Sequence, residues 1–288
     1  MSDPLDPPTN AIADPLMDIP APDAVTDTVH IDATAAGAVT VIINRPQKKN
    51  AFDAETIAAL HEAFETLQGQ EHVRVVFVRG TGATFCAGAD LDWVREAVEW
   101  SEADNRDDAM MLAKMLKALH DIPCLTVALV EGAAMGGGAG LVAACDTAVA
   151  VKGTKFAFSE VKLGLTPATI SPYVVEAIGA RRARALFASG LAFDADEALA
   201  IGLVDRVVAD SEALDRARDA IAGEMMAAAP GAVAAAKDLV RYVQSHHHKI
   251  DDHLMDETAR RIAARRVSDE GQEGVRAFLE RRKPAWTV

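Results

Sequence analysis

The chain has 288 residues, 50% of them apolar and 5% aromatic, enough to bury a sizeable core as one large domain or as one domain with an appendage. A net charge of −14, from 29 Lys and Arg against 43 Asp and Glu, argues against nucleic acid or an anionic membrane surface as a partner. No apolar run approaches the ~18 residues that span a bilayer, and three cysteines without a CxxC pair speak for reduced, buried thiols rather than a disulfide framework or a zinc site.

Residues 1–28 hold six Asp, six Pro and no Lys or Arg, which reads as a disordered leader without the features of a signal peptide. A cytoplasmic location is the expectation. Two short strands follow over 29–43, around a turn at Gly37. Beyond the loop "NRPQKKN", Asp53 caps a helix whose Ile57, Leu60, Phe64 and Leu67 recur at helical spacing, and Gly69 closes it. A buried strand is expected over 73–80, then the loop "TGATFCAGADL" and one polar helical stretch from about 92 to 119. Further strands are expected over 124–132, 146–151 and 155–160, the last ending on Glu160. Strands alternating with helices predict parallel βαβ units, with no internal repeat of fixed period.

After about residue 172 the pattern becomes helical, and 202–208 is the only strand-like interruption. Ser268 caps the last helix, with Asp269 and Glu270 in its first turn. The expected organisation is an α/β core over 29–208 and a helical region over 209–288.

Two glycine-rich junctions carry the candidate chemistry: "FCAGADL" at 85–91 and "EGAAMGGGAGLVAACD" at 131–146. In parallel sheets, ligands gather beyond the carboxyl ends of strands, where helix N-termini present free N–H groups. Two such donors aimed at one point form an oxyanion hole; tight turns with close helix–sheet packing would use the same residues. "GAGLVA" also satisfies a dinucleotide pattern with Glu160 downstream, a weak match out of its usual context. Glu160 follows an apolar run, and a poorly solvated carboxyl there has its proton affinity raised towards the range useful in catalysis. Arg45, Lys48 and Lys49 form a small basic loop suited to a phosphorylated ligand or simply to water. "HHHKIDDH" at 246–253 reads as a polar loop rather than a metal tract.

In order, "NRPQKKNAF", "FCAGADL", "EGAAMGGGAGL…ACD", "FAFSEVKLGLTP" and "FLERRKPAW" resemble the enoyl-CoA hydratase/isomerase (crotonase) family from about residue 29 to the C-terminus. The resemblance implies an α/β spiral of ββα units with a helical trimerisation region, assembled as a homotrimer or dimer of trimers. It implies an acyl-CoA substrate and no cofactor, since coenzyme A is part of that substrate. Ala89 and Gly137 would donate the two N–H groups to the thioester oxygen, and Glu160 would be the acid/base. Ala89, Asp90, Leu91, Asp92, Gly137, Gly140 and Pro167 would line the acyl site. Arg45, Lys48, Lys49, Ala51, Phe278 and Arg281 would meet coenzyme A.

One departure matters. Hydratases that use two glutamates carry the first at the position of Gly140, so only Glu160 remains. Local sequence is similar to bacterial 3-methylglutaconyl-CoA hydratases, and Gly140 would then leave room for a branched acyl chain. A 3-enoyl-CoA isomerase using the same single glutamate is the alternative, and a scaffold or RNA-binding relative a remote one.

Overall fold

The computed structural model describes residues 28–246 and 249–287. The leader therefore lies almost wholly outside the described residues, as do His247 and His248 of the histidine tract. The chain opens with β1 (Val29–Ala33) and β2 (Ala38–Ile43), an antiparallel pair turning at Gly37. A 3-10 turn at Pro46–Lys48 leads to α1 (Ala54–Gln68) and β3 (Val75–Gly80). Asp53 caps α1 by accepting from the Thr56 N–H at 2.9 Å, and Gly69 closes it, as expected.

The polar stretch after β3 is two helices rather than one: α2 (Leu91–Ala97) and α3 (Glu102–His120). The break falls at Ser101, whose side chain and that of Asp104 form a reciprocal capping box. Next come β4 (Leu125–Val130), β5 (Ala133–Met135), α4 (Gly137–Ala144), β6 (Thr147–Val151) and β7 (Lys155–Ala157). Strand β7 stops short of Glu160, which instead opens a 3-10 turn, Glu160–Leu163. The chain leaves the extended conformation at Ser159 (φ −94°, ψ 4°), so Glu160 does not end a strand. Then follow α5 (Ser171–Ser189), bent at Gly179, β8 (Phe193–Asp194), α6 (Ala195–Ile201) and β9 (Arg206–Val208). Four helices finish the chain: α7 (Ser211–Ala227), α8 (Pro230–Ser245), α9 (Asp252–Val267) and α10 (Asp269–Glu280). Ser268 caps α10 through the Gly271 N–H.

The main sheet has the order β1-β2-β3-β4-β6-β9, parallel from β2 onward, and a small second sheet has the order β5-β7-β8. Both faces of the main sheet are covered. In β3, Val76 and Val78 join the core shared with α1 and α3, whereas Val75 and Phe77 pack with Leu214 and Ala217 of α7. Two-sided burial is why these strands read as unbroken apolar runs instead of alternating ones.

The spiral repeats in the backbone. After β4 the chain turns at Gly132 (φ +71°) and enters β5 of the second sheet, then α4. After β6 it does the same into β7. After β3 it follows a similar course, with Cys86 bridging Ala134 of β5 before α2 begins. A Cβ on Gly132 would sit 1.9 Å from the Ala83 carbonyl oxygen, so only glycine allows this crossing. This is the ββα architecture that the resemblance implied. All three cysteines are free thiols, Cys86 and Cys124 buried and Cys145 half-buried.

Candidate active site

The "FCAGAD" segment is stitched between two others. On one side Phe85 N–H donates to Glu131 O, Cys86 N–H to Ala133 O, and Met135 N–H to Cys86 O, at 2.8–3.0 Å. On the other, Phe52 N–H donates to Gly88 O and Asp90 N–H to Phe52 O, both at 2.7 Å. In a trans peptide the N–H points opposite to the C=O of the same unit. The Gly88 carbonyl faces Phe52, so the Ala89 N–H faces away from it. It has no acceptor among the described residues, and Ala89 is exposed.

The second donor is built by Gly136. At φ +49° and ψ −117° its backbone favours glycine. Its N–H donates to Ala157 O at 2.8 Å and its C=O accepts from Gly140 N–H at 3.0 Å, which starts α4 at Gly137. The Gly137 N–H is therefore one of the helix-opening donors without an intrahelical partner. Gly88 and Met135 pack closely, since a Cβ on Gly88 would sit 3.1 Å from Met135 O. The two glycine-rich junctions thus meet at the segment between Gly88 and Gly137.

Glu160 faces the same place. A Cβ on Gly136 would lie 3.2 Å from its Oε1. Its Oε2 is buried with no hydrogen-bond partner, and burial pushes the carboxyl above its ordinary range, with a backbone N–H pulling partly back. A half-buried carboxyl next to unbonded backbone donors can take up and return a proton.

Two expectations are corrected here. Gly140 does not open space for an acyl chain: it is buried, and a Cβ there would lie 2.1 Å from Cγ2 and 2.6 Å from Cβ of Ile170. The missing side chain is compensated by Ile170, which occupies the volume that a side chain at position 140 would need. Arg45 is likewise not a free base awaiting phosphate. Only 11% of its side chain is exposed, and its guanidinium meets Asp53 at 2.6 Å and Asp90 at 3.0 Å and donates to the Ala51 carbonyl. Ala51 itself is buried.

The remaining expected residues are distributed as follows. Asp90 is 5% exposed and caps α2 through the Asp92 N–H. That N–H holds its carboxyl below the usual range, aided by Arg45 and Lys48 against the opposing effect of burial. Lys48 bridges Asp90 at 3.4 Å and Asp92 at 2.6 Å. Lys49 is exposed and has no ion pair among the described residues. Leu91 is exposed and Pro167 buried. Phe278 and Arg281 lie at the end of α10, which packs on α8 and α9 rather than beside Glu160.

Asn50 and Phe52 carry more of the site than the sequence suggested. Asn50 is fully buried at φ +55°; its amide donates to Thr81 O and Thr84 O and its oxygen accepts from Arg45 N–H at 2.9 Å. An Asn after a Pro-opened turn, with its tolerance of the left-handed region, was the available signal.

Residues 33–288 match the enoyl-CoA hydratase/isomerase family. The chain is 33% identical over 250 residues to the enoyl-CoA hydratase AKT6-1 of Alternaria alternata, covering 86% of this chain and 80% of that one. It is 32% identical over 252 residues to the mevalonyl-coenzyme A hydratase sidH of Aspergillus fumigatus, covering 85% and 89%. The crystal structure of an enoyl-CoA hydratase from Shewanella pealeana superposes with a TM-score of 0.86 at 36% identity, over 90% of this chain and 96% of that one.

Proposed function

Because the chain belongs to the enoyl-CoA hydratase/isomerase family, we propose that it adds water reversibly to a 2-enoyl-CoA thioester, with 3-methylglutaconyl-CoA the favoured substrate. The observation that carries the reading is the half-buried Glu160 carboxyl, unpartnered at Oε2 and set against Gly136, one residue from the free Gly137 N–H.

In this reading the thioester oxygen accepts from Ala89 N–H and Gly137 N–H. Glu160, as carboxylate, takes a proton from water while the water oxygen attacks C3, and the π electrons move onto the thioester oxygen as an enolate. The two N–H groups hold the new charge; one such donor is typically worth ~3 kcal/mol of barrier. The helix α4 that begins at Gly137 adds the positive end of its dipole. Glu160, now protonated, delivers the proton to C2, so that water adds to one face. Desolvation serves both halves, because a carboxyl with raised proton affinity both accepts the proton and holds it until C2 is ready.

The choice of substrate rests on the resemblance of "GGGAGLVAACD" and "FSEVKLGLTPATISPYVVEAIG" to 3-methylglutaconyl-CoA hydratases. Loss of conjugated enoyl-thioester absorbance with 3-methylglutaconyl-CoA and with crotonyl-CoA tests it. The reading requires the higher kcat/KM on the branched substrate; preference for crotonyl-CoA would remove the assignment.

A second reading is favoured by Ile170. With no space for a second carboxylate beside position 140, a single glutamate could shuttle a proton between C2 and C4 and move a double bond without water. For assembly we infer a homotrimer or dimer of trimers. Val275, Phe278 and Leu279 form one stripe of α10 and are 56%, 82% and 74% exposed, an apolar surface suited to a second subunit.

A further inference from the structure

We propose that Arg45 and Asp90 act as a clamp that fixes the direction of the Ala89 N–H, and are positioning residues rather than contacts to coenzyme A. The inference rests on Ala89 serving as an oxyanion donor. Ala89 has only a methyl side chain, with no polar group to lock its own peptide, and Gly88 before it, at φ +95°, lacks the Cβ that would restrict its rotation. Its orientation must come from neighbours.

Phe52 supplies the first restraint. Its N–H holds the Gly88 carbonyl and its C=O holds the Asp90 N–H. The two peptide units flanking Ala89 are thereby tied to one residue, and the Ala89 N–H is turned away from it. That restraint is only as firm as the position of Phe52 relative to Asp90.

Arg45 supplies the second. One guanidinium spans Asp90 Oδ2 at 3.0 Å, Asp53 Oδ2 at 2.6 Å and the Ala51 carbonyl. Ala51 and Asp53 flank Phe52, and Asp90 follows Ala89. The planar fork thus joins both sides of the Phe52–Ala89 bridge, a geometry that a lysine ammonium cannot reproduce. The Arg45 N–H donates to Asn50 Oδ1, so the arginine is itself held at its backbone. Around the clamp, Lys48 meets Asp90 and Asp92, and Arg95 meets Asp92. Loss of Arg45 would leave Asp53 and Asp90 without their shared cation and free Phe52 to move.

The test uses a saturated acyl-CoA labelled with 13C at the thioester carbonyl, which binds without reacting. Infrared difference spectra of the wild-type complex report polarisation of that carbonyl by the N–H donors. A wild-type band at its solution frequency would refute the oxyanion reading itself, and with it the clamp. With a shifted wild-type band, Arg45→Met and Asp90→Asn are compared. Asp90→Asn keeps a side-chain oxygen for the α2 cap and removes the ion pair, so it carries the test should Arg45→Met not fold. The clamp predicts a carbonyl band back towards its solution position, kcat lower by about 10- to 100-fold and KM within about 3-fold. Arg45→Lys should recover part of both. A shifted band retained in the Asp90→Asn and Arg45→Met complexes, or KM raised about 10-fold with kcat unchanged, would overturn the proposal; the latter would make Arg45 a ligand of coenzyme A.

Discussion

Replacing Glu160 by glutamine should move activity and stability in opposite directions. The carboxyl is half-buried, Oε2 has no partner, and burial raises its proton affinity above that of an ordinary glutamate. In its proposed role of acid/base it would contribute on the order of 100-fold or more, or about 2.7 kcal/mol of barrier, and glutamine can neither take nor give that proton. The amide keeps the volume and still lacks a partner. An uncharged amide nevertheless costs less to bury than a carboxylate. Because the folded protein holds this proton more tightly than the unfolded chain, its stability falls as pH rises from the ordinary glutamate range through the raised value. Above that window the wild type carries the full penalty, and Glu160→Gln does not.

Thermal unfolding by circular dichroism should therefore give Glu160→Gln a Tm equal to or above the wild type near pH 7.5. The difference should shrink as pH drops below the ordinary glutamate pKa of about 4.3. Turnover by conjugated-thioester absorbance should fall at least ~100-fold. Near-full turnover, or a Tm lower at pH 7.5 and recovering in acid, would refute the argument.

Four further outcomes follow from the packing and the exposed face of α10. Gly140→Ala should lose roughly 1–3 kcal/mol in urea unfolding, because a Cβ 2.1 Å from buried Ile170 outweighs the helix propensity gained. The same change at Gly223 in α7, where a Cβ meets nothing within 4 Å, should gain up to ~1 kcal/mol. Burial pushes the Cys86 thiol up to about 12 and the Cys124 thiol up to about 11, so a thiol reagent at pH 8 should label both slowly until the protein unfolds. Light scattering on a sizing column should give three or six times the 30.5 kDa chain mass, and Phe278→Glu should lower it; a monomer would contradict the assembly inferred from α10.

What the sequence revealed was local or was carried by whole motifs. The Asp53 cap, the Gly69 stop and the Ser268 cap of α10 are decided by neighbours along the chain, and the structure has each of them. The "SEAD" at 101–104 was an equally local stop between α2 and α3, but the polar run around it hid the boundary. Strands β5 and β8, of three and two residues, exist because a second sheet pairs them, and their own residues give no period to read. The spiral leaves no fixed period in the sequence for a related reason: it lies in where the backbone crosses between sheets, while the sequences of its turns differ.

At the candidate site, residue types pointed to the glycine-rich loops and to Glu160, yet not to who supports whom. Arg45 and Asp90 stand 45 positions apart, and an arginine in a basic loop reads as exposed until the fold brings two carboxylates to it. Gly140 read as an opening because nothing in its neighbourhood names Ile170, which reaches it from the segment before α5.

The most direct test of the central claim is the mass of the product formed by wild-type enzyme from 3-methylglutaconyl-CoA, followed beside a 3-enoyl-CoA. Hydration through Glu160 and the two backbone donors predicts loss of the conjugated absorbance together with a gain of one water. Conjugation appearing from the 3-enoyl-CoA at unchanged mass, with no water added to the 2-enoyl substrate, would contradict it and make the enzyme an isomerase.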